Sequence, residues 1–357
     1  MVSPRLAVEQ RIHNSLYGLA LGDALGMPTQ EFSRSHIARD FGDDDGLVAR
    51  FYPGPSDNRI SAGQKAGTVT DDTDQALILA RRLIAGGGAV DARLFAEDLL
   101  AWQDKMIAAG SVDLLGPSTL RALEGLRADG AESTAGKWGA TDGAAMRVAP
   151  IAHVVPVEVE TDLDALVDRV VEVSRLTHGT GVALAGACAV AGAVAARLAQ
   201  KDWATVVDWA CIAAAKGAER GVWVAAADIA TKIRWTCELV ESAADAESAF
   251  RALEDLCGTS LATQEAVPAT FGMLQLAITH GPGIDDLWFV ARASASSGGD
   301  CDTIAAMAGA ISGAGVTRNA ALLIPEEIAA EFDAANDLGL YDLAAGLRRV
   351  REGSQPS

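Results

Sequence analysis

A chain of 357 residues, half of them hydrophobic, can bury a substantial core and is globular, built as one large domain or two modest ones. Its 48 Asp and Glu against 29 Lys and Arg leave a formal charge of -19, a field that repels phosphate backbones and anionic lipid and argues against nucleic acid or membrane as partners. Five cysteines, odd in number and without a CxxC pair, argue against a disulfide framework or a zinc knuckle and fit a reducing cytoplasm, the expected compartment.

Aromatics make up only 5% and period-two alternation is scarce, whereas apolar residues recur at helical spacing, so an all-α chain is expected. Residues 1–10 are too charged for a signal peptide. Ile12, Leu16 and Leu19 form a first stripe that runs into Gly18-Leu19-Ala20-Leu21-Gly22-Asp23-Ala24-Leu25-Gly26, with Gln30 and Glu31 shortly after. Asp23 reads as a hydrogen-bonding brace for nearby loops rather than a ligand. A loop over 51–58 precedes Gly67-Thr68-Val69-Thr70-Asp71-Asp72-Thr73-Asp74, which passes at once into the stripe Leu77, Ala80, Ile84. Further loops are marked at 86–88, at 133–143, where Lys137 and Thr141-Asp142-Gly143 lie, and at 279–283. The apolar run 182–195 is largely Ala, Gly and Val, is shorter than the roughly 20 residues of a membrane span, and reads as a closely packed buried helix. Ser296-Ser297-Gly298-Gly299-Asp300-Cys301-Asp302-Thr303 leads into a last stripe, Ile304, Met307, Ala308 and Ile311. With no linker and no fixed-period repeat, one domain is expected over 1–350 and a disordered tail over 351–357.

The two aspartate clusters carry the chemistry. Thr70 is placed as an N-cap, which puts Asp71 and Asp72 in a first turn where the positive end of the helix dipole favours ionised carboxylates. Capping alone explains one such cluster. In the other, two glycines permit a sharp turn, and an extended approach would aim Asp300 and Asp302 to one side and Cys301 to the other, a packed thiol rather than a ligand. Two clusters of carboxylate and threonine hydroxyl would repel unless cations sat between them, and oxygen-only donors select magnesium or manganese over zinc.

Five segments in order resemble the ADP-ribosylglycohydrolase family: 18–26, 70–73, Gly143-Ala144-Ala145-Met146-Arg147-Val148-Ala149-Pro150, Leu176-Thr177-His178, and 298–306. The resemblance implies an all-α, single-domain orthogonal helical fold with a dinuclear magnesium site at the bottom of a cleft. Matched residue by residue, Thr70, Asp71, Asp72, Asp300, Asp302 and Thr303 fall on the family's metal positions, for two Mg2+ ions with Mn2+ as an alternative. Glu31 stands where the family carries a glutamate on a loop near the metals, with Gln30-Glu31 leaving the register open by one. Asp113 resembles the acidic residue of an Asp-Ile-Gly segment, a second carboxylate near the scissile bond. Gly143 and Met146 fall in the substrate-binding segment. His178 matches a cleft-lining position, and reads equally well as a hydrogen-bonded helix-end histidine. Arg147 would bind phosphate or, in its apolar surroundings, pair with a buried carboxylate.

One departure bears on the substrate. Members that bind ADP-ribose have Gly-Asn-Gly where this chain has Thr141-Asp142-Gly143, and a carboxylate facing a diphosphate is repelled by about 1 kcal/mol or more unless Lys137 offsets it. Asp142 suits a sugar hydroxyl or an amine instead, and also suits a simple turn cap. Segments 26–30 and 52–55 resemble a bacterial branch of the family whose substrates are small ribosides. The expected function is hydrolysis of an N- or O-glycosidic bond of an ADP-ribosyl or ribosyl substrate, with Glu31, Asp113 and Asp302 as catalytic carboxylates and Asp142, Gly143, Met146 and His178 around the sugar. The rival readings are a non-catalytic binding relative, against which the intact metal positions argue, and a metal-dependent phosphohydrolase.

Overall fold

The computed structural model describes residues 4–108, 110, 115–129 and 134–353. Its architecture turns on the helix Pro4–Gly26 laid against the helix Cys301–Gly315. Gly18, Gly22 and Gly26 recur every four residues and form one bare ridge of the N-terminal helix. A Cβ on Gly18 would lie 2.3 Å from Gly309 O, one on Gly22 2.1 Å from Ala305 O, and one on Gly26 2.3 Å from Asp302 Cα. The two backbones therefore touch along three turns. That contact sets Asp23, one residue past Gly22, beside the start of the partner helix and its Asp302.

Helix Gly181–Leu198, the apolar run expected as a core helix, is buried along its whole length against helix Trp203–Ala218 and the bundle around it. It is the one helix long and apolar enough to cross a membrane among the described residues, and none of it faces solvent. All regular structure among the described residues is helical. The only β-pairs there are isolated bridges, Gly42 with Val48, Thr141 with Ala262 and Thr180 with Val222. The expected stripes are the core: Ile12, Leu16, Leu19, Leu77, Ala80, Ile304, Met307, Ala308 and Ile311 are fully or almost fully buried. The five cysteines are free thiols in that core.

Three local expectations shift. Helix Thr263–His280 absorbs Thr279 and His280, so the loop begins at Gly281. The stretch 133–143 is not all loop, for Ala135–Trp138 forms a 3-10 turn. Helix Leu340–Arg351 includes Arg351, whose guanidinium donates to the carbonyls of Ala152, His153 and Val155 at 3.2, 3.4 and 3.0 Å. Folded structure thus runs past 350, because those three carbonyls end a helix and need donors.

Candidate active site

Helix Asp71–Ala85 begins where the sequence places it, with Thr70 as N-cap accepting from Asp72 N. Asp23 holds this start. Its carboxyl is fully buried and accepts from Thr70 N at 3.1 and 3.0 Å, Thr70 Oγ1 at 2.8 Å, Thr73 N at 3.1 Å and Thr73 Oγ1 at 2.5 Å. Those donors hold Asp23 down while burial pushes it up, to about 6. Upstream, Asn336 clamps the approach by donating to Gly67 O at 2.8 Å and accepting from Val69 N at 3.3 Å. Downstream, Gln75 donates to Asp71 Oδ2 at 2.6 Å and accepts from Arg147 at 2.5 Å. Arg147 is buried and spans from Gln75 to Thr177 Oγ1. Through the Gln75 amide it reaches Asp71, whose charge acts against the burial that lowers the guanidinium.

The second cluster turns as expected at Gly298 and Gly299, both at positive φ. A Cβ on Gly299 would also lie 2.3 Å from Thr259 O. Glu31 N donates to Gly299 O at 2.7 Å, Gly299 N to Phe32 O at 2.9 Å, and Asp300 N to Thr259 O at 2.7 Å. The approach is a turn rather than an extended segment: Asp300 stands at the N-cap position without a side-chain capping bond, and Asp302 occupies the first turn of Cys301–Gly315. Both aspartates nevertheless reach one cavity while Cys301 packs inward, 3.3 Å from Thr29 Oγ1.

The cavity measures about 130 Å³. Asp71, Asp72, Asp300, Asp302 and Thr303 line one side, and Thr141, Asp142, Gly143 and Met146 the other. Burial first, and then neighbouring carboxyls, push Asp72 and Asp300 well above the usual carboxylate range. Burial likewise pushes Asp142 up to about 8. The helix N-terminus acts the other way on Asp72, by about 1 kcal/mol against a desolvation cost of several for a carboxylate. The charge of Asp142 bears on Asp300, and those of Asp23, Asp302 and Asp300 on Asp72, so the carboxyls stand close together. Contacts between carboxyls require a shared proton or a cation. Among the described residues no three such side chains close into a preformed metal cage. Asp72 Oδ1 and Asp142 Oδ2 are buried without a hydrogen-bond partner there.

The remaining expected residues divide. Thr70 lies one layer below the lining, its hydroxyl between Asp23 and Asp72. His178 stands behind Thr141, bonded to Thr141 Oγ1 at 2.9 Å and Thr177 Oγ1 at 2.7 Å, and burial keeps it neutral. A Cβ on Gly143 would lie 3.1 Å from its ring, so His178 backs the turn rather than lining the cavity. Glu31 is at the rim, at positive φ and paired with Arg59 at 3.0 Å, while the side chain that lines the cavity is Gln30. Asp113 lies outside the described residues. Lys137 does not offset Asp142: it is exposed above the Trp138 ring, because the 3-10 turn carries it away from the cavity. Gly116, Pro117 and Thr119, from the segment that carries Asp113, line the cavity with Ile60 and Leu261; the last two were not foreseen, since they stand alone in segments without a motif, and Leu261 also accepts from Asp142 N at 3.1 Å.

The chain matches the ADP-ribosylglycohydrolase family over residues 4–356. It is 34% identical over 343 residues to the uncharacterized protein YegU of Escherichia coli (strain K12), covering 96% of this chain and 98% of that one. An uncharacterized protein of Archaeoglobus fulgidus is 33% identical over 308 residues, 86% of this chain and 88% of its own. The ADP-ribosyl-[dinitrogen reductase] glycohydrolase of Rhodospirillum rubrum is 31% identical over 147 residues, 41% of this chain and 45% of its own. A solved structure, an ADP-ribosylglycohydrolase-related protein complex, shares the fold with a TM-score of 0.62 at 22% identity, covering 97% of this chain and 99% of that one. The chain belongs to the ADP-ribosylglycohydrolase family, a family of glycohydrolases.

Proposed function

For this member of the family we propose a magnesium-dependent hydrolase that cleaves the N- or O-glycosidic bond of a ribosyl or ADP-ribosyl substrate. The observation that carries the reading is the convergence of four carboxyls, the buried Asp72, Asp142 and Asp302 and the half-buried Asp300, on one small cavity, with Asp72 Oδ1 and Asp142 Oδ2 lacking partners among the described residues. Buried carboxylate oxygens call for a cation or a ligand's donor. The donor set is hard oxygen throughout: Asp71, Asp72, Asp300 and Asp302 with the hydroxyl of Thr303 would hold two Mg2+ ions, or Mn2+, while the Thr70 hydroxyl, expected as a ligand, braces Asp72 from below. When bound, magnesium would supply charge stabilisation and a more acidic water.

The chain's own residues account for the rest. Asp142 accepts a sugar hydroxyl, and Gly143, with no side chain, lets the ring approach the backbone. Ile60, Met146 and Leu261 give the cavity an apolar wall that limits bulk water. Hydrolysis adds water across the anomeric bond through an oxocarbenium-like state; the new C–O bond forms as the old one breaks, and the leaving nitrogen or oxygen departs protonated. Glu31, beside Asp300 at the rim, takes the proton of the attacking water after leaving Arg59. Asp302 fixes the second cluster against the first.

A small riboside without a diphosphate is the second reading. It is supported by the lining, which among the described residues carries acids and no lysine or arginine. Calorimetric titration of magnesium tests the metal reading: binding to the native chain and its loss in Asp302→Ala are expected, and equal binding by both would remove Asp302 from the set.

A further inference from the structure

Two segments meet at the mouth of the aspartate cavity, and neighbouring residues on each divide between its inside and its outside. Gln30 and Ile60 line the cavity. Their chain neighbours Glu31 and Arg59 stand at the rim and pair at 3.0 Å, with 37% of the Glu31 side chain exposed and 84% of that of Arg59. Arg59 is therefore a cation at the edge of a cavity whose lining, among the described residues, holds no lysine or arginine.

The position of Arg59 is fixed from beneath. Asn58 is only 2% exposed; its Nδ2 donates to Gln30 O at 2.7 Å, and its Oδ1 accepts from Ile60 N and Ser61 N, both at 2.9 Å. One buried amide thus staples the segment of Arg59 to that of Glu31. The loop is also closed at its base, where Gly54 N donates to Gln64 O at 3.0 Å and a Cβ on Gly54 would lie 1.7 Å from Ser61 O. Tied at both places, the loop keeps its cation at the rim without help from Glu31. An exposed ion pair adds little to stability, so this one can open at small cost.

We propose that Arg59 is a specificity-determining residue: it holds a phosphate carried on the ribosyl unit of the substrate, at the rim, while the sugar occupies the cavity. The proposal rests on the ribosyl reading of that cavity. Inside, a phosphate would meet carboxyls and no cationic side chain, whereas the guanidinium fork at the rim matches two phosphate oxygens with parallel N–H donors. Glu31 and the phosphate compete for the same guanidinium. When the phosphate takes it, Glu31 is left unpaired beside Asp300, so the base is released only when a substrate of this class is seated.

The test is calorimetric titration of the full chain, with magnesium present, using ribose 5-phosphate and ribose. The native chain is expected to bind ribose 5-phosphate at least about tenfold more tightly than ribose, and Arg59→Gln to bring the two within about twofold. Arg59→Lys, which keeps the charge and loses the fork, is expected to fall between them. Arg59 is a surface position, so both variants fold. Glu31→Gln removes the competing charge and is expected to tighten ribose 5-phosphate by about two- to fivefold while leaving ribose within about twofold. No preference in the native chain, a preference undiminished in Arg59→Gln, as for a phosphate held on magnesium, or weaker ribose 5-phosphate binding in Glu31→Gln would overturn the proposal. The readout is binding, so absent turnover would count against the reaction and leave the assignment of Arg59 to these titrations.

Discussion

Thr70 and Asp23 stand 47 positions apart, yet the Thr70 hydroxyl donates to Asp23 Oδ1 at 2.8 Å and the Thr70 amide to the same carboxyl. The residue that caps the first cluster's helix is thus held by a carboxylate on the N-terminal helix. Asp23→Asn keeps the shape but turns an amide NH2 towards N–H and O–H donors. It is expected to lower unfolding free energy by about 1.5–3 kcal/mol, measured by urea titration. An unchanged midpoint would show that the brace is dispensable.

Glycine spacing on the same helix makes a second prediction. In Gly22→Ala the new Cβ would lie 2.1 Å from Ala305 O, a backbone atom with nowhere to go. The helices Pro4–Gly26 and Cys301–Gly315 must separate, and a loss of about 1–3 kcal/mol is expected in the same assay. A neutral effect would show that the pair can slide.

Arg147, Gln75 and Asp71 form a chain of two hydrogen bonds behind the proposed metal site. Gln75→Leu removes the amide donor from Asp71 and is expected to weaken magnesium binding by about 10–100-fold, read by calorimetry. Undiminished affinity would mean that Asp71 is oriented by something else.

His153 supplies a pH dependence remote from the cavity. Burial, with the charge of Arg351 added, drives it from 6.5 down to about 3, and its Nε2 meets Ser15 Oγ at 2.9 Å. Between those values the unfolded chain takes up a proton that the folded chain refuses. Stability is therefore full above about pH 6.5 and falls as pH drops towards 3. Urea midpoints at about pH 7.5 and 5.5 should differ less in His153→Gln than in the native chain. An equal difference would place the pH dependence elsewhere.

Asp142 carries the substrate prediction. Burial pushes its carboxyl up to about 8, so the charge is present above that pH: at about pH 9, Asp142→Asn should improve ADP-ribose binding relative to ribose by about fivefold, equivalent to the roughly 1 kcal/mol repulsion at contact, with a smaller gain at about pH 7. Tight ADP-ribose binding by the native chain would defeat the repulsion argument.

Much of this was legible beforehand because it rests on local patterns. The cap at Thr70, the turn at Gly298-Gly299 and the buried run 182–195 each have a signature within a few residues. The role of Asp23 could be read as well, since an aspartate closing an apolar stripe needs donors. What escaped depends on distant contacts. One residue of register decides that Gln30 faces the cavity and Glu31 meets Arg59 at the rim, and a positive φ at Glu31 makes that choice. Likewise only the folded chain shows that a 3-10 turn carries Lys137 away, and that Leu261 approaches Asp142 from 119 positions along, a separation no local motif marks.

The central claim is hydrolysis of a ribosyl bond at the aspartate cavity with magnesium. The direct measurement incubates the protein with a panel of ADP-ribosylated peptides and free ribosides and reads the products by mass. Free ribose or ADP-ribose should appear with magnesium, vanish with chelator, and be absent in Asp302→Ala. Equal release with chelator present, or release of inorganic phosphate in place of a free sugar, would contradict it.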